Sequence, residues 1–159
     1  MNFNSPFETK DTVNESIDSR ADIIFVSDMF VENYVGGAEL TTEALIEKCP
    51  LSYQKVLASN VSVELLEQGH NKHWIFGNFA SMNQKLIPTI VANMSYSVLE
   101  YDYKYCKYRS PEKHLFAEKA ECNCDESQHG KLISAFYYGA RSIYWMSEAQ
   151  QNLYFDKFP

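Results

Sequence analysis

The chain has 159 residues, of which 45% are hydrophobic and 22% charged, the balance of an ordinary globular domain. Its formal net charge of −7 gives an overall field that does not attract nucleic acid, so we expect no nucleic-acid partner. No apolar run reaches the roughly 18–20 residues of a transmembrane helix, and no signal peptide opens the chain. A cytoplasmic location is therefore expected.

The N-terminal part predicts a polar arm followed by a single domain. Residues 1–20 lack apolar periodicity, whereas residues 21–159 alternate between apolar and polar segments. The nearly continuous apolar run Ala21–Ser27 predicts a strand buried on both faces. A loop at Asp28–Val35 ends in two glycines, and Ala38–Lys48 predicts an amphipathic helix.

The alternation of strands and helices continues to the end of the chain. Four further strands are predicted at Tyr53–Ala58, His73–Phe76, Tyr96–Tyr101 and Arg141–Met146. Further helices are predicted at Ser62–Gln68, at Met82–Asn93 with a kink or a division at Pro88, at Lys131–Tyr138, and onward from a capping box at Ser147–Gln150. The stretch Lys104–Gly130 is predicted to be irregular.

This alternation predicts an α/β fold with a Rossmann-like, doubly wound and mostly parallel sheet of about five or more strands in three layers, α/β/α. Ligands of such sheets bind beyond the carboxyl ends of the strands, where the strand order reverses. We therefore expect any site in the loops at that edge, which are Asp28–Gly37, Ser59–Val61, Gly77–Ser81, Asp102–Tyr105 and Ser147–Gln150.

The most informative motif is Gly36-Gly37-Ala38-Glu39, between the first strand and the first helix. Glycines let the backbone approach a ligand closely, and a helix N-terminus offers unpaired N–H groups and partial positive charge to a phosphate. A turn that only joins strand to helix is the alternative. The spacing of the glycines matches neither the dinucleotide-binding fingerprint G-x-G-x-x-G nor the phosphate loop G-x-x-x-x-G-K-[ST] of nucleoside triphosphatases.

The apolar first strand, the loop ending in Gly36-Gly37-Ala38-Glu39 and the amphipathic helix resemble the N-terminal half of the GT-B fold glycosyltransferases, particularly the large GT4-like group. Gly69-His70 before the third strand resembles the helix-ending Gly-His of that family. The segment Ala140–Ser147 has an alanine, an apolar strand and then a serine, and it resembles the segment of that family with the same pattern. The likeness spans about Asp22 to Pro159.

The resemblance implies transfer of a sugar from a nucleotide-sugar donor to a hydroxyl acceptor, which we expect to be a carbohydrate. Gly36 and Gly37 would present backbone N–H groups to the donor diphosphate. The candidate catalytic residues are Asp28 and Asp102. The candidate acceptor-binding residues are Asn78, Glu100 and Ser147.

Two departures from the family limit this interpretation. Many members carry a histidine at the end of the fourth strand, where this chain has Glu100-Tyr101-Asp102-Tyr103. The donor-binding half with its E-x7-E motif is missing, so a second domain or partner chain would supply it, and the chain alone is expected to be nearly inactive. The alternative is a non-catalytic Rossmann-like module that binds a nucleotide, a sugar or a protein partner.

Several polar groups near the expected crevice have two interpretations each. Asp28 directly follows the first strand and could bind sugar hydroxyls or act as a base, or it could only cap its loop. Glu100 and Asp102 could orient an acceptor hydroxyl, or form a charged strand end at the surface. Lys107-Tyr108-Arg109 could meet a phosphate, or be a solvated loop.

A second cluster combines three cysteines with two histidines over 24 residues: Cys106, His114, Cys122, Cys124 and His129. These side chains could supply a tetrahedral zinc site. The spacing C-x15-C-x-C-x4-H is, however, not the usual pair of C-x2-C knuckles. A metal site, a disulfide and free thiols all remain open, and we assign no cofactor and no metal ligand from the sequence.

Overall fold

A computed structural model describes residues 15–158 of the chain. Residues 1–14, the larger part of the predicted arm, and residue 159 lie outside the described residues. The end of the arm is attached to the domain by two side chains. The backbone N–H of Ile17 donates to Gln68 Oε1 at 2.9 Å, and that of Asp18 donates to Gln54 Oε1 at 2.8 Å.

The described residues form one five-stranded sheet in which all neighbouring strands are parallel. The strands are β1 (Ile23–Ser27), β2 (Tyr53–Leu57), β3 (His73–Phe76), β4 (Ser95–Glu100) and β5 (Ser142–Trp145). Their order across the sheet is β2-β1-β3-β4-β5. The predicted α/β class and parallel sheet are confirmed, and each strand lies within two residues of its predicted bounds.

Six helices accompany the sheet between residues 15 and 158. They are α1 (Gly37–Glu47), α2 (Val63–Gln68), α3 (Ile87–Asn93), α4 (Pro111–Glu118), α5 (Gln128–Gly139) and α6 (Glu148–Lys157). Short 3-10 turns lie at Ala58–Asn60, Gln84–Leu86 and Cys124–Glu126. Between residues 15 and 158, no helix has the length and apolar character needed to cross a membrane.

The two faces of the sheet are covered unequally. On one face, apolar side chains of β1, β3 and β4 pack against α2, α3, α5 and α6 in the larger core. The centre of this core is aromatic. The ring of Phe136 stacks on the ring of Tyr96 with 4.8 Å between their centroids, and it meets the ring of Phe76 edge-on with 5.5 Å between centroids. On the other face, Phe25 packs with Ile46 of α1 in a smaller core. The sheet is thus the middle layer of three.

The prediction of an irregular stretch at Lys104–Gly130 is wrong for its middle, which forms α4. The Ser110 hydroxyl accepts a hydrogen bond from the backbone N–H of Lys113 at 3.3 Å, and Pro111 lies in the first turn. This cap followed by proline is a helix start signal that the sequence contained. The signal was hidden by the low apolar content of the segment.

His73 is enclosed by hydroxyl groups at the start of β3. Its Nδ1 lies 2.8 Å from Ser95 Oγ, and its Nε2 lies 2.9 Å from Ser97 Oγ. Burial, together with the positive charge of Arg141, lowers the pKa of His73 below its ordinary value of 6.5. The neutral imidazole therefore stabilises the fold above that pH, and this contribution is lost as the pH falls.

We expect the free energy of unfolding to decrease between about pH 7.5 and about pH 5.5, and a His73→Gln variant to reduce that decrease. Urea unfolding at several pH values measures it. The exposed His70 provides the control, because His70→Gln should leave the wild-type dependence in place. Equal pH dependence in wild type and His73→Gln would show that His73 does not contribute.

Candidate functional site

The topology predicts a ligand crevice at the carboxyl edge of the sheet between β1 and β3. The connection from β1 leads to β2 on one side, while β3 lies on the other, so the strand order reverses at this point. In doubly wound sheets this is where the loops diverge and leave a ligand crevice. The loop after β1 and the loop after β3 are joined where they leave the sheet. The N–H of Asp28 donates to the Asn78 carbonyl at 2.7 Å, and the N–H of Gly77 donates to the Val26 carbonyl at 2.8 Å.

The glycine turn lies at this edge and introduces α1. Gly36 is the N-cap residue in an extended conformation, and no side chain caps the helix. A Cβ at Gly36 would lie 2.6 Å from Glu39 Oε2 and 2.9 Å from the exposed ring of Tyr34, and both are ends of side chains that can turn aside. A Cβ at Gly37 would have no atom within 4 Å. The surface over Gly37 is therefore open.

Tyr101 connects the middle of α1 to the end of β4. Its hydroxyl lies 2.6 Å from Thr42 Oγ1. Burial raises the pKa of Tyr101, the Thr42 hydrogen bond opposes that rise, and the negative charge of Glu39 adds to it. The neutral phenol thus joins α1 to the end of β4.

Asp28 is engaged by the loop that follows β3. Its carboxylate accepts hydrogen bonds from the backbone N–H groups of Ala80 at 2.9 Å and Ser81 at 2.8 Å, and from the Ser81 hydroxyl at 2.5 Å. These contacts fit the loop-capping interpretation. A catalytic role for Asp28 stays a prediction, and it would have to be performed by a carboxylate that already accepts three hydrogen bonds.

Asp102, Arg109 and Asn78 come together at the crevice. Asp102 Oδ2 accepts from Arg109 Nε at 2.9 Å, and Arg109 Nη2 lies 3.4 Å from Asn78 Oδ1. The other carboxylate oxygen, Asp102 Oδ1, is buried and has no hydrogen-bond partner among the described residues. A buried oxygen without a donor costs free energy, and because Oδ1 has no exposed surface, a ligand would meet the exposed part of the Asp102 side chain rather than this oxygen.

The predicted basic and aromatic patch is divided between two places. Arg109 turns to the crevice from a left-handed backbone conformation, with φ of 58°. Lys107 instead pairs with Glu118 at 2.6 Å, and the Tyr108 hydroxyl donates to the same carboxylate at 2.6 Å. Arg109 is thus a crevice residue that the sequence analysis included only as part of a patch.

Glu100 does not line the crevice. It is fully buried and pairs with Lys104 at 2.5 Å, while its other oxygen accepts from the hydroxyls of Tyr154 at 2.9 Å and Tyr137. Burial raises the pKa of Glu100. The expectation of an acceptor contact at Glu100 is not matched by its position, because its carboxylate is enclosed and has no exposed surface.

Ser147 lies at the exposed junction of β5 and α6. Its hydroxyl accepts from the N–H of Gln150 at 3.1 Å, which confirms the predicted cap. The Gln150 side chain donates to the Asp102 carbonyl at 3.1 Å and accepts from the N–H of Met146 at 2.8 Å. The start of α6 is thereby fastened to the loop that carries Asp102.

Comparisons with protein-family models, with curated proteins and with solved structures found no match to this chain.

Proposed function

We propose that this chain is the N-terminal, acceptor-side lobe of a GT-B type glycosyltransferase, in which the Gly36–Gly37 turn faces the diphosphate of a nucleotide-sugar donor. The observation that carries the proposal is the open turn at the carboxyl edge of the sheet, ahead of α1 with no capping side chain. A diphosphate above Gly37 would meet backbone N–H groups and the positive end of the helix dipole.

The chemistry would be the breaking of the bond between the sugar and the diphosphate while the acceptor oxygen bonds to the sugar carbon and loses its proton. Negative charge grows on the departing diphosphate. Fixed N–H dipoles at α1 are suited to stabilise it because they need no reorganisation. Positioning of donor and acceptor would supply much of the remaining rate.

Asp102 is the stronger of the two candidate acids on this account. Arg109 holds one of its oxygens, while the other lacks a donor among the residues described. Since 30% of the Asp102 side chain is exposed, an acceptor hydroxyl would approach that exposed part and could give up its proton to the carboxylate. Asn78 and the exposed Ser147 are the candidate acceptor contacts beside it.

A non-catalytic module that binds a nucleotide, a sugar or a protein partner is the second candidate. It is favoured by the engagement of Asp28 in its loop and of Glu100 in the core, and by the burial of Asp102 Oδ1, because none of these three acids then presents a free, exposed oxygen that lacks a partner. Ligand binding at the glycine turn would then occur without group transfer.

Titration of the purified chain with nucleoside diphosphates and with free sugars separates the two candidates. The acceptor-lobe proposal expects measurable sugar binding together with weak, millimolar nucleotide binding, because most of the donor would be held by the other lobe. Tight nucleotide binding by this chain alone would contradict the proposal and support the binding module. Absence of both sugar and nucleotide binding would contradict both ligand assignments.

A Gly37→Asp variant is expected to weaken nucleoside diphosphate binding about tenfold, since a like charge a few ångströms away costs about 1.4 kcal/mol. The same change should stabilise the fold by about 1 kcal/mol, because it removes a helical glycine and places an acid in the first turn. The control is Gln128→Asp, which places an aspartate at the first residue of α5. Equal binding of the nucleoside diphosphate by Gly37→Asp and Gln128→Asp would show that Gly37 is not part of the binding site.

A further inference from the structure

We infer that Cys106, His114, Cys122 and Cys124 form a structural zinc site of three thiolates and one imidazole. Their four ligand atoms all lie within 4.8 Å of one another. His114 Nδ1 lies 3.5 Å from Cys124 Sγ and 4.0 Å from Cys106 Sγ. Ordinary zinc bond lengths in a tetrahedron place sulfur and nitrogen about 3.6 Å apart, so the observed separations suit one central ion.

The four side chains come from three separate parts of the chain and converge in the interior. Cys106 belongs to the loop after β4, His114 lies in α4, and Cys122 and Cys124 follow that helix. All four residues are buried, with exposed fractions from 1% for Cys106 to 8% for Cys122. Buried cysteines often act only as small apolar side chains. Here an imidazole nitrogen points to the same centre as three sulfur atoms, which apolar packing does not require.

The structure selects among the alternatives that the sequence left open. The cysteines are free thiols, so no disulfide uses these sulfur atoms. His129 is outside the cluster, because its Nδ1 lies 3.2 Å from Gln84 Oε1 and its Nε2 lies 3.0 Å from the Lys104 carbonyl. Four protein ligands complete a tetrahedron and leave no open position, which indicates a structural rather than a catalytic ion. Three soft thiolates favour Zn²⁺ over hard cations.

The groups around the cluster fit a bound ion. Three thiolates, one neutral imidazole and one Zn²⁺ leave a net negative charge, and Lys157 lies close by, with Nζ donating to the Cys122 carbonyl at 2.9 Å. The ring of Tyr108 packs edge-on against the ring of His114, with 5.5 Å between the ring centroids.

The ion would fix the loop that supplies the crevice with its cation. The N–H of Cys106 donates to Tyr103 at 2.9 Å, and that of Arg109 donates to the Cys106 carbonyl at 2.9 Å. Arg109 is therefore three residues from a zinc ligand and hydrogen-bonded to it. Tyr105 packs this loop into the core, and a metal clip would hold its other side in place.

The test is the metal content and metal binding of the reduced, purified chain. We expect about one zinc per chain, nanomolar or tighter zinc affinity in chelator competition, and a tetrahedral thiolate spectrum when Co²⁺ replaces zinc. Removal of zinc should lower the melting temperature, and added Zn²⁺ should restore it. These measurements use the wild-type chain and do not depend on whether variants fold.

Variants then identify the ligands. Cys124→Ser should reduce zinc retention at least about tenfold, whereas Cys49→Ser, which changes the cysteine outside the cluster, should retain one zinc. His114→Cys offers a fourth thiolate and should keep the tetrahedral cobalt spectrum with altered thiolate absorption. The inference is overturned if the wild-type chain carries no zinc and binds neither Zn²⁺ nor Co²⁺. It is equally overturned if Cys124→Ser retains metal as well as Cys49→Ser does.

Discussion

Replacing Lys104 by methionine is expected to lower the free energy of unfolding by about 3–5 kcal/mol, because it leaves a buried carboxylate without its counter-charge. The ion pair between Lys104 and Glu100 is 2.5 Å long, and neither side chain is exposed. Lys104 Nζ also donates to the Leu99 carbonyl at 3.0 Å. Methionine has a similar length but can donate no hydrogen bond. Urea unfolding at neutral pH measures the loss.

The double variant Lys104→Met, Glu100→Gln is the decisive control. Removing the charge on Glu100 should restore part of the lost stability, because a neutral amide can still accept from Tyr154 and Tyr137. If Lys104→Met lowers the free energy of unfolding by less than about 1 kcal/mol, the pair behaves like a solvent-exposed one, contrary to the zero exposure of both side chains. A double variant no more stable than Lys104→Met would show that the loss comes from packing rather than charge.

Gly130→Ala is expected to destabilise the fold by about 3–5 kcal/mol, because the new methyl group meets rigid backbone. A Cβ at this position would overlap the Cys124 carbonyl oxygen and would lie 2.7 Å from Asp125 Cα. Neither group can move without displacing the turn that carries Cys124. We therefore expect Gly130→Ala to weaken zinc retention as well, so metal content should fall together with the midpoint of urea unfolding.

Gly37→Ala is the matched control, since both glycines lie at the start of a helix. With no atom within 4 Å of the new methyl group, Gly37→Ala should stabilise the chain by about 0.5–1 kcal/mol. Opposite signs for the two substitutions are the expected result. A small effect of Gly130→Ala, comparable to that of Gly37→Ala, would show that the close contact with Cys124 is not present in solution.

The strands were predictable because their sequence signal is local. Continuous apolar runs such as Ile23–Ser27 are typical of strands in a parallel sheet that is covered on both faces, and they are too short for an ordinary helix. The position of the glycine turn at the carboxyl edge followed from the same alternation, since every connection to a helix leaves that edge. The helix α4 was missed because its cap at Ser110 was not followed by an apolar pattern.

The roles of individual acids were not predictable, because they depend on partners distant in sequence. Asp28 is engaged by Ser81, 53 residues further along the chain. Glu100 has a buried lysine four residues away, which could have suggested a pair, but its tyrosine partners come from α5 and α6. The choice of His114 over His129 as the imidazole of the cysteine cluster required the position of α4.

The central claim is that the turn at Gly36 and Gly37 receives a diphosphate, and backbone amide NMR of the ¹⁵N-labelled chain tests it most directly. On addition of a nucleoside diphosphate, the amide signals of Gly36, Gly37 and Ala38 should shift most, and Gly37→Asp should suppress the change. Shifts centred on another loop, or none at millimolar ligand, would contradict the claim.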